Sequence, residues 1–160
     1  MNVAMDATPL TLSSGGIARY TAELSVALAS EFPEDEFVLL SDQVTQLAPT
    51  VAQASACGVP PNLQIAAGPR NLLEKRWWSW GLPRDLARRR ANVFHGTHYA
   101  VPWLPLRPSV ATVHDLSPWI YPEWQQSAGR VRRFTPFQLR LGLATMVITP
   151  SETIRHEVIE

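Results

Sequence analysis

The chain has 160 residues, 46% of them apolar, a single cysteine, and 14 basic residues balancing 14 acidic ones. This describes one globular domain able to bury its own core, and it excludes a disordered chain and a disulfide framework. No basic and apolar leader opens the chain, and no apolar run nears the ~20 residues of a membrane span, so a cytoplasmic protein is expected.

The zero net charge is polarised. Residues 1–69 carry one basic residue, Arg19, against seven acidic ones; residues 70–160 carry thirteen against seven. All basic residues but Lys75 are arginine, which favours bidentate contact with phosphate and carboxylate. A domain polarised in this way can orient on an anionic partner, although the ordinary reading of any one arginine is a solvated helix face. Cys57 lies in a small-residue segment beside Gly58 and Pro60, a poor setting for a nucleophile.

Val3 to Ala7 reads as a first strand. Thr8 to Tyr20 then carries Ser13-Ser14-Gly15-Gly16 into a helix over Ile17 to Glu31. A loop meeting a helix start offers free N–H groups and the positive dipole end to an anion, and glycine lets a ligand approach the backbone. The alternative is a plain turn with Ser13 or Ser14 as cap. Ile17, Tyr20, Leu24, Ala27 and Leu28 give the helix its apolar stripe.

Glu36 to Leu40 reads as a buried parallel strand, Gln43 to Cys57 as a weaker helix, and Asn62 to Ala67 as a third strand. One or two helices follow over Asn71 to Ala91, with Gly81 at the break and Pro83 in the next first turn. Trp77, Trp78 and Trp80, interleaved with basic residues and followed by Arg88 and Arg89, suit an anionic membrane interface. The more ordinary reading is that two of the tryptophans are core and the arginines face solvent. Nucleic acid is not the expected partner.

Val93 to His95 is a fourth strand, Ser109 to Val113 a fifth, Gln126 to Ala144 a helix containing Pro136, and Thr145 to Thr149 a sixth strand. Ser151 caps a last helix from Glu152 that the end of the chain cuts. The alternation predicts an α/β, Rossmann-like parallel sheet with helices on both faces. Ligands in such sheets bind beyond the carboxyl ends of the strands. Three groups converge there: Gly15-Gly16, His95 to Tyr99, and His114-Asp115. The H-x2-H pair His95/His98 lacks the presentation of a metal site. There is no G-x-G-x-x-G after the first strand and no G-x-S-x-G elbow, which argues against a dehydrogenase and a serine hydrolase.

Ser14-Gly15-Gly16-Ile17-Ala18-Arg19-Tyr20, Asn92-Val93-Phe94-His95, Val113-His114-Asp115-Leu116-Ser117 with Pro122-Glu123-Trp124, and Val147 to Glu152 occur in this order along the chain. Together they resemble the N-terminal domain of the retaining family-four glycosyltransferases of GT-B architecture, especially mannosyltransferase-like bacterial members. The resemblance implies a nucleotide-sugar donor held mostly by a C-terminal domain absent here, and a glycan or lipid-linked acceptor held by this one. It implies Gly15 and Gly16 near the donor phosphates and His114, assisted by Asp115, at the reacting centre. Arg19, Tyr20, His95, His98, Tyr99 and Trp119 fall on the acceptor side, with no metal and no cofactor besides the co-substrate. It also implies work at the inner membrane face, and inactivity of this domain alone. The family's E-x7-E glutamates belong to its C-terminal domain; the same spacing at Glu23/Glu31 and Glu152/Glu160 falls at the wrong places. The alternative is a stand-alone, non-catalytic module for a phosphorylated ligand or an anionic surface.

Overall fold

The computed structural model describes residues 1–11, 15–42, 58–66, 76–124 and 128–159. Six strands, β1 (Asn2–Asp6), β2 (Glu36–Leu40), β3 (Leu63–Ile65), β4 (Val93–Gly96), β5 (Ser109–Thr112) and β6 (Met146–Ile148), form one sheet in the order β3-β2-β1-β4-β5-β6. Every pairing is parallel. The order runs outward from β1 in one direction and from β4 in the other, so the topological switch lies between these two strands.

The helices are α1 (Gly16–Glu31), α2 (Leu82–Arg88), α3 (Ser117–Ile120), α4 (Ala128–Arg140) and α5 (Glu152–Ile159). Side chains alternate across a strand, so β1 builds two cores. Val3 and Met5 pack with Ala22 and Ala29 of α1; Ala4 packs on the opposite face with Trp77, Leu82, Leu86 and Phe94. Helices therefore cover both faces, as the alternation predicts. No helix among the described residues is long and apolar enough to cross a membrane.

Three expectations need correction. The buried stripe of α1 is Ala18, Thr21, Ala22, Ser25 and Ala29, while Ala27 is exposed and Ile17, Tyr20, Leu24 and Leu28 are half-buried. Small side chains let the helix lie close on the sheet, and the larger ones flank the contact. Trp77 is a core residue, 5% exposed, in a π-type turn over Trp77–Gly81, and is not available to a membrane. Arg88 and Arg89 clamp the buried Asp85 carboxylate at 3.2 and 3.0 Å. The predicted helix over Gln43 to Cys57, with Cys57 itself, lies outside the described residues, as do Ser13 and Ser14.

Two junctions are held by side chains. The Asn62 amide donates to the carbonyls of Ala29, Phe32 and Asp35 at 3.0, 3.1 and 2.8 Å, tying the end of α1 to the start of β3. The Ser151 hydroxyl accepts from the Ile154 N–H, capping α5 as expected.

Candidate functional site

The switch between β1 and β4 brings the ends of β1, β4 and β5 together beside the start of α1. Gly15 caps α1 with φ 158° and ψ 161°, a combination open essentially to glycine. Among the described residues no side chain caps this end. Among the described residues a Cβ at Gly15 or Gly16 would meet nothing within 4 Å, so their packing does not demand these glycines, and both are exposed.

β4 ends at Gly96 because the chain doubles back there. A Cβ on Gly96 would sit 1.8 Å from the Ala100 carbonyl oxygen. The returning loop is pinned from three sides. Thr97 Oγ1 donates to the Asp6 carbonyl at 2.8 Å, and the Tyr99 N–H donates to the Thr112 carbonyl at 3.0 Å. The Thr135 hydroxyl and Gln138 amide of α4 donate to the carbonyls of Tyr99 and Val101 at 2.9 and 2.6 Å. These bonds hold Tyr99 at φ 58°, an uncommon conformation for a bulky residue.

The loop supports an aromatic cluster. The His114 ring meets Tyr20 edge-on at 4.9 Å, Tyr99 at 5.9 Å and His98 at 6.3 Å; Trp119 backs Tyr99 at 6.0 Å. His114 Nε2 donates to the Thr97 carbonyl at 2.7 Å, so in the neutral ring Nδ1 is the accepting nitrogen. Asp115 ties the loop down: its carboxylate accepts from the Tyr99 hydroxyl at 2.9 Å and from the Ser117 N–H at 2.8 Å. Beneath the cluster, His95 Nε2 lies 2.8 Å from Thr112 Oγ1, which is 3.4 Å from the Tyr20 hydroxyl.

Burial dominates the titration here. It pushes His95 and His98 down to about 4, helped by the neighbouring His114, so both are neutral near pH 7. Burial pulls Asp115 up, but hydrogen bonds from Ser117 and Tyr99 and the nearby His114 outweigh it and hold the carboxyl below its usual range. Tyr99 is raised by burial and by the Asp115 charge.

The cluster thus contains Tyr20, His98, Tyr99, His114, Asp115 and Trp119, with His95 joined through Thr112. Arg19 does not join it: its side chain points to solvent and pairs with Glu23 at 2.7 Å. Sequence reasoning missed Thr97 and Thr112, whose hydroxyl partners depend on strand register and leave no local signal. It also missed a cavity of about 150 Å³ lined by Asp6, Thr8, Trp78, His98, Arg130 and Phe134 among others. Burial raises Asp6 there to about 6, against hydrogen bonds from Thr8. His98 Nε2 is buried without a partner among the described residues, so it is the polar atom a guest in this cavity would satisfy. Among the same residues no three His, Cys, Asp or Glu side chains group as metal ligands would.

Comparison with individual curated proteins gives no significant match. The family model of Glycosyltransferase Family 4 matches residues 14–160, which takes in α1 through α5 and the whole aromatic cluster but not Asp6 and Thr8 of the cavity. With the α/β sheet and the aromatic cluster at its switch in place, this match shows that the chain belongs to Glycosyltransferase Family 4.

Proposed function

We propose that this chain is the acceptor-side domain of a retaining transferase that moves a sugar from a nucleotide-sugar to a glycan or lipid-linked acceptor. Mannose is the sugar favoured by the resemblance, and the inner membrane face is the place of work. The observation that carries the reading is His114. Its ring is oriented by the Thr97 carbonyl and packed edge-on against Tyr20, which stands one turn along α1 from Gly16. In the transfer the bond from the anomeric carbon to the diphosphate oxygen breaks, and a bond to the acceptor oxygen forms. The acceptor hydroxyl's proton passes to the departing diphosphate oxygen. Open N–H groups at the start of α1 would offset the charge on the departing diphosphate. Asp115 would act by holding the loop, and Tyr20, His98 and Tyr99 by shaping the acceptor side.

Donor contacts belong, in this reading, to a second domain that follows this one. Residues 1–160 alone should give no turnover, and sustained release of nucleoside diphosphate from this chain with an acceptor would refute that. The co-substrate is the nucleotide-sugar and no resident metal takes part, so chelation by EDTA should leave turnover unchanged. In the full-length protein, His114→Ala should lower kcat by about a hundredfold or more while donor affinity changes little. Unchanged kcat would remove His114 from the reacting centre.

A further inference from the structure

Helix α4 has two unlike faces. Ala128, Val131, Thr135 and Gln138, spaced by three and four residues, turn inward. The outer face repeats the spacing with Arg130, Arg133, Phe134, Phe137 and Leu141, the last just past the helix end. Solvent-facing positions would ordinarily be polar throughout. Here Phe137 is 53% exposed and Leu141 56%.

The apolar part continues off the helix. Trp103 meets Phe134 edge-on at 5.4 Å and Phe137 at 6.0 Å, and the adjoining loop exposes Leu104 and Leu106. The guanidinium groups lie among the rings: Arg130 is 5.1 Å from the Trp78 ring centre and Arg133 5.5 Å from that of Phe134. No acidic residue occurs between Glu123 and Glu152, nor between Asp85 and Asp115. The helix and the loop beside it are thus apolar and uniformly cationic.

We propose that this face, from Trp103 to Leu106 and along Arg130, Arg133, Phe134, Phe137 and Leu141, is a docking surface for an anionic lipid bilayer. The composition selects that occupant. Rings and leucines reach the acyl boundary while arginines at the same level meet lipid phosphates, as in a helix lying in the interface plane. This refines the membrane part of the proposed function by moving the contact from the segment Trp77–Trp80 with Arg88 and Arg89 to α4. It places the contact beside the cavity of His98 and Arg130, so an acceptor anchored in the bilayer would reach the cavity without leaving the surface.

The test needs no transferase activity and so fails or succeeds apart from it. The chain is sedimented with phosphatidylcholine vesicles, with and without phosphatidylglycerol. Binding should require the anionic lipid and weaken with salt. Arg130→Glu/Arg133→Glu should lower the partition coefficient at least about 25-fold, from about fivefold per arginine lost. Phe137→Ser/Leu141→Ser should lower it about tenfold or more, with circular dichroism unchanged because these side chains are exposed. No binding, or equal binding to neutral vesicles, overturns the proposal. So does loss of binding in Trp80→Ser while Phe137→Ser/Leu141→Ser retains it. Self-association of the free chain that Phe137→Ser/Leu141→Ser abolishes would assign the face to a second copy and overturn it too.

Discussion

Replacing Gly96 by alanine should be among the most damaging single-methyl changes in this domain. Its φ is not positive, so the cost is steric and not conformational. The new Cβ would lie 1.8 Å from the Ala100 carbonyl oxygen and 3.0 Å from its carbon, and ordinary contact begins at 3.4 Å. One backbone must retreat by about 1.6 Å. Neither can do so freely: Gly96 is paired with Ala111 in the sheet, and the carbonyls on either side of Ala100 accept from Thr135 and Gln138. Overpacking of about 1–3 kcal/mol, with one or two backbone bonds weakened at about 1 kcal/mol each, gives a loss of roughly 2–5 kcal/mol. For a domain of this size that lowers Tm by roughly 4–20 °C. Thermal unfolding followed by circular dichroism reads it directly. Gly129→Ala is the control, since a Cβ there, in the first turn of α4, meets nothing within 4 Å, so it should leave Tm unchanged or slightly raised. A Gly96→Ala protein melting within about 1 °C of the parent would refute the account of why the loop needs glycine.

Asp6→Asn should stabilise the protein at pH 8 and not below pH 4. The folded carboxyl, at about 6, holds its proton more tightly than the unfolded one at about 3.9. Stability therefore falls as pH rises between these values, and the penalty is complete above them. An amide oxygen can still accept from Thr8 N–H and Oγ1, and the gain should be about 1–3 kcal/mol; equal destabilisation at both pH values would contradict it. Thr112→Val should cost about 1–3 kcal/mol by leaving His95 Nε2 buried without its partner. Thr112→Ser should recover most of that loss in denaturant titrations, and no difference between the two would show that the hydroxyl is not the cause.

The parallel sheet was readable because strands buried on both faces must be nearly continuous in apolar residues; Glu36 to Leu40 has the predicted bounds. That His98 and Tyr99 meet His114-Asp115 followed from the strand ends alone, and α1 reaches them through Tyr20. Residues whose fate depends on shape were not readable. In α1 side-chain size decides which face meets the sheet, so Thr21 and Ser25 are buried where hydropathy favours Leu24 and Leu28. Trp77 and Trp80 are alike in sequence, yet one fills the core and the other faces solvent. His95 and His98 read as a pair, but β4 ends one residue after His95 and the chain reverses, so each finds different surroundings.

The switch between β1 and β4 also sets the order in which the molecule can come into being. The first strand made is a central one: Asn2 pairs with Glu36 on one side, and Val3 with Val93 on the other. A growing chain can lay down β1, β2 and β3, but the free edge of β1 stays open until β4 has emerged. Such non-local parallel pairing is intrinsically slow, and an open apolar edge invites the wrong partner in the interval. The Thr97 hydroxyl reaches the Asp6 carbonyl across this same seam. The cleft is therefore assembled at the joint that closes late, and a chain interrupted before β4 has half a sheet and no site at all.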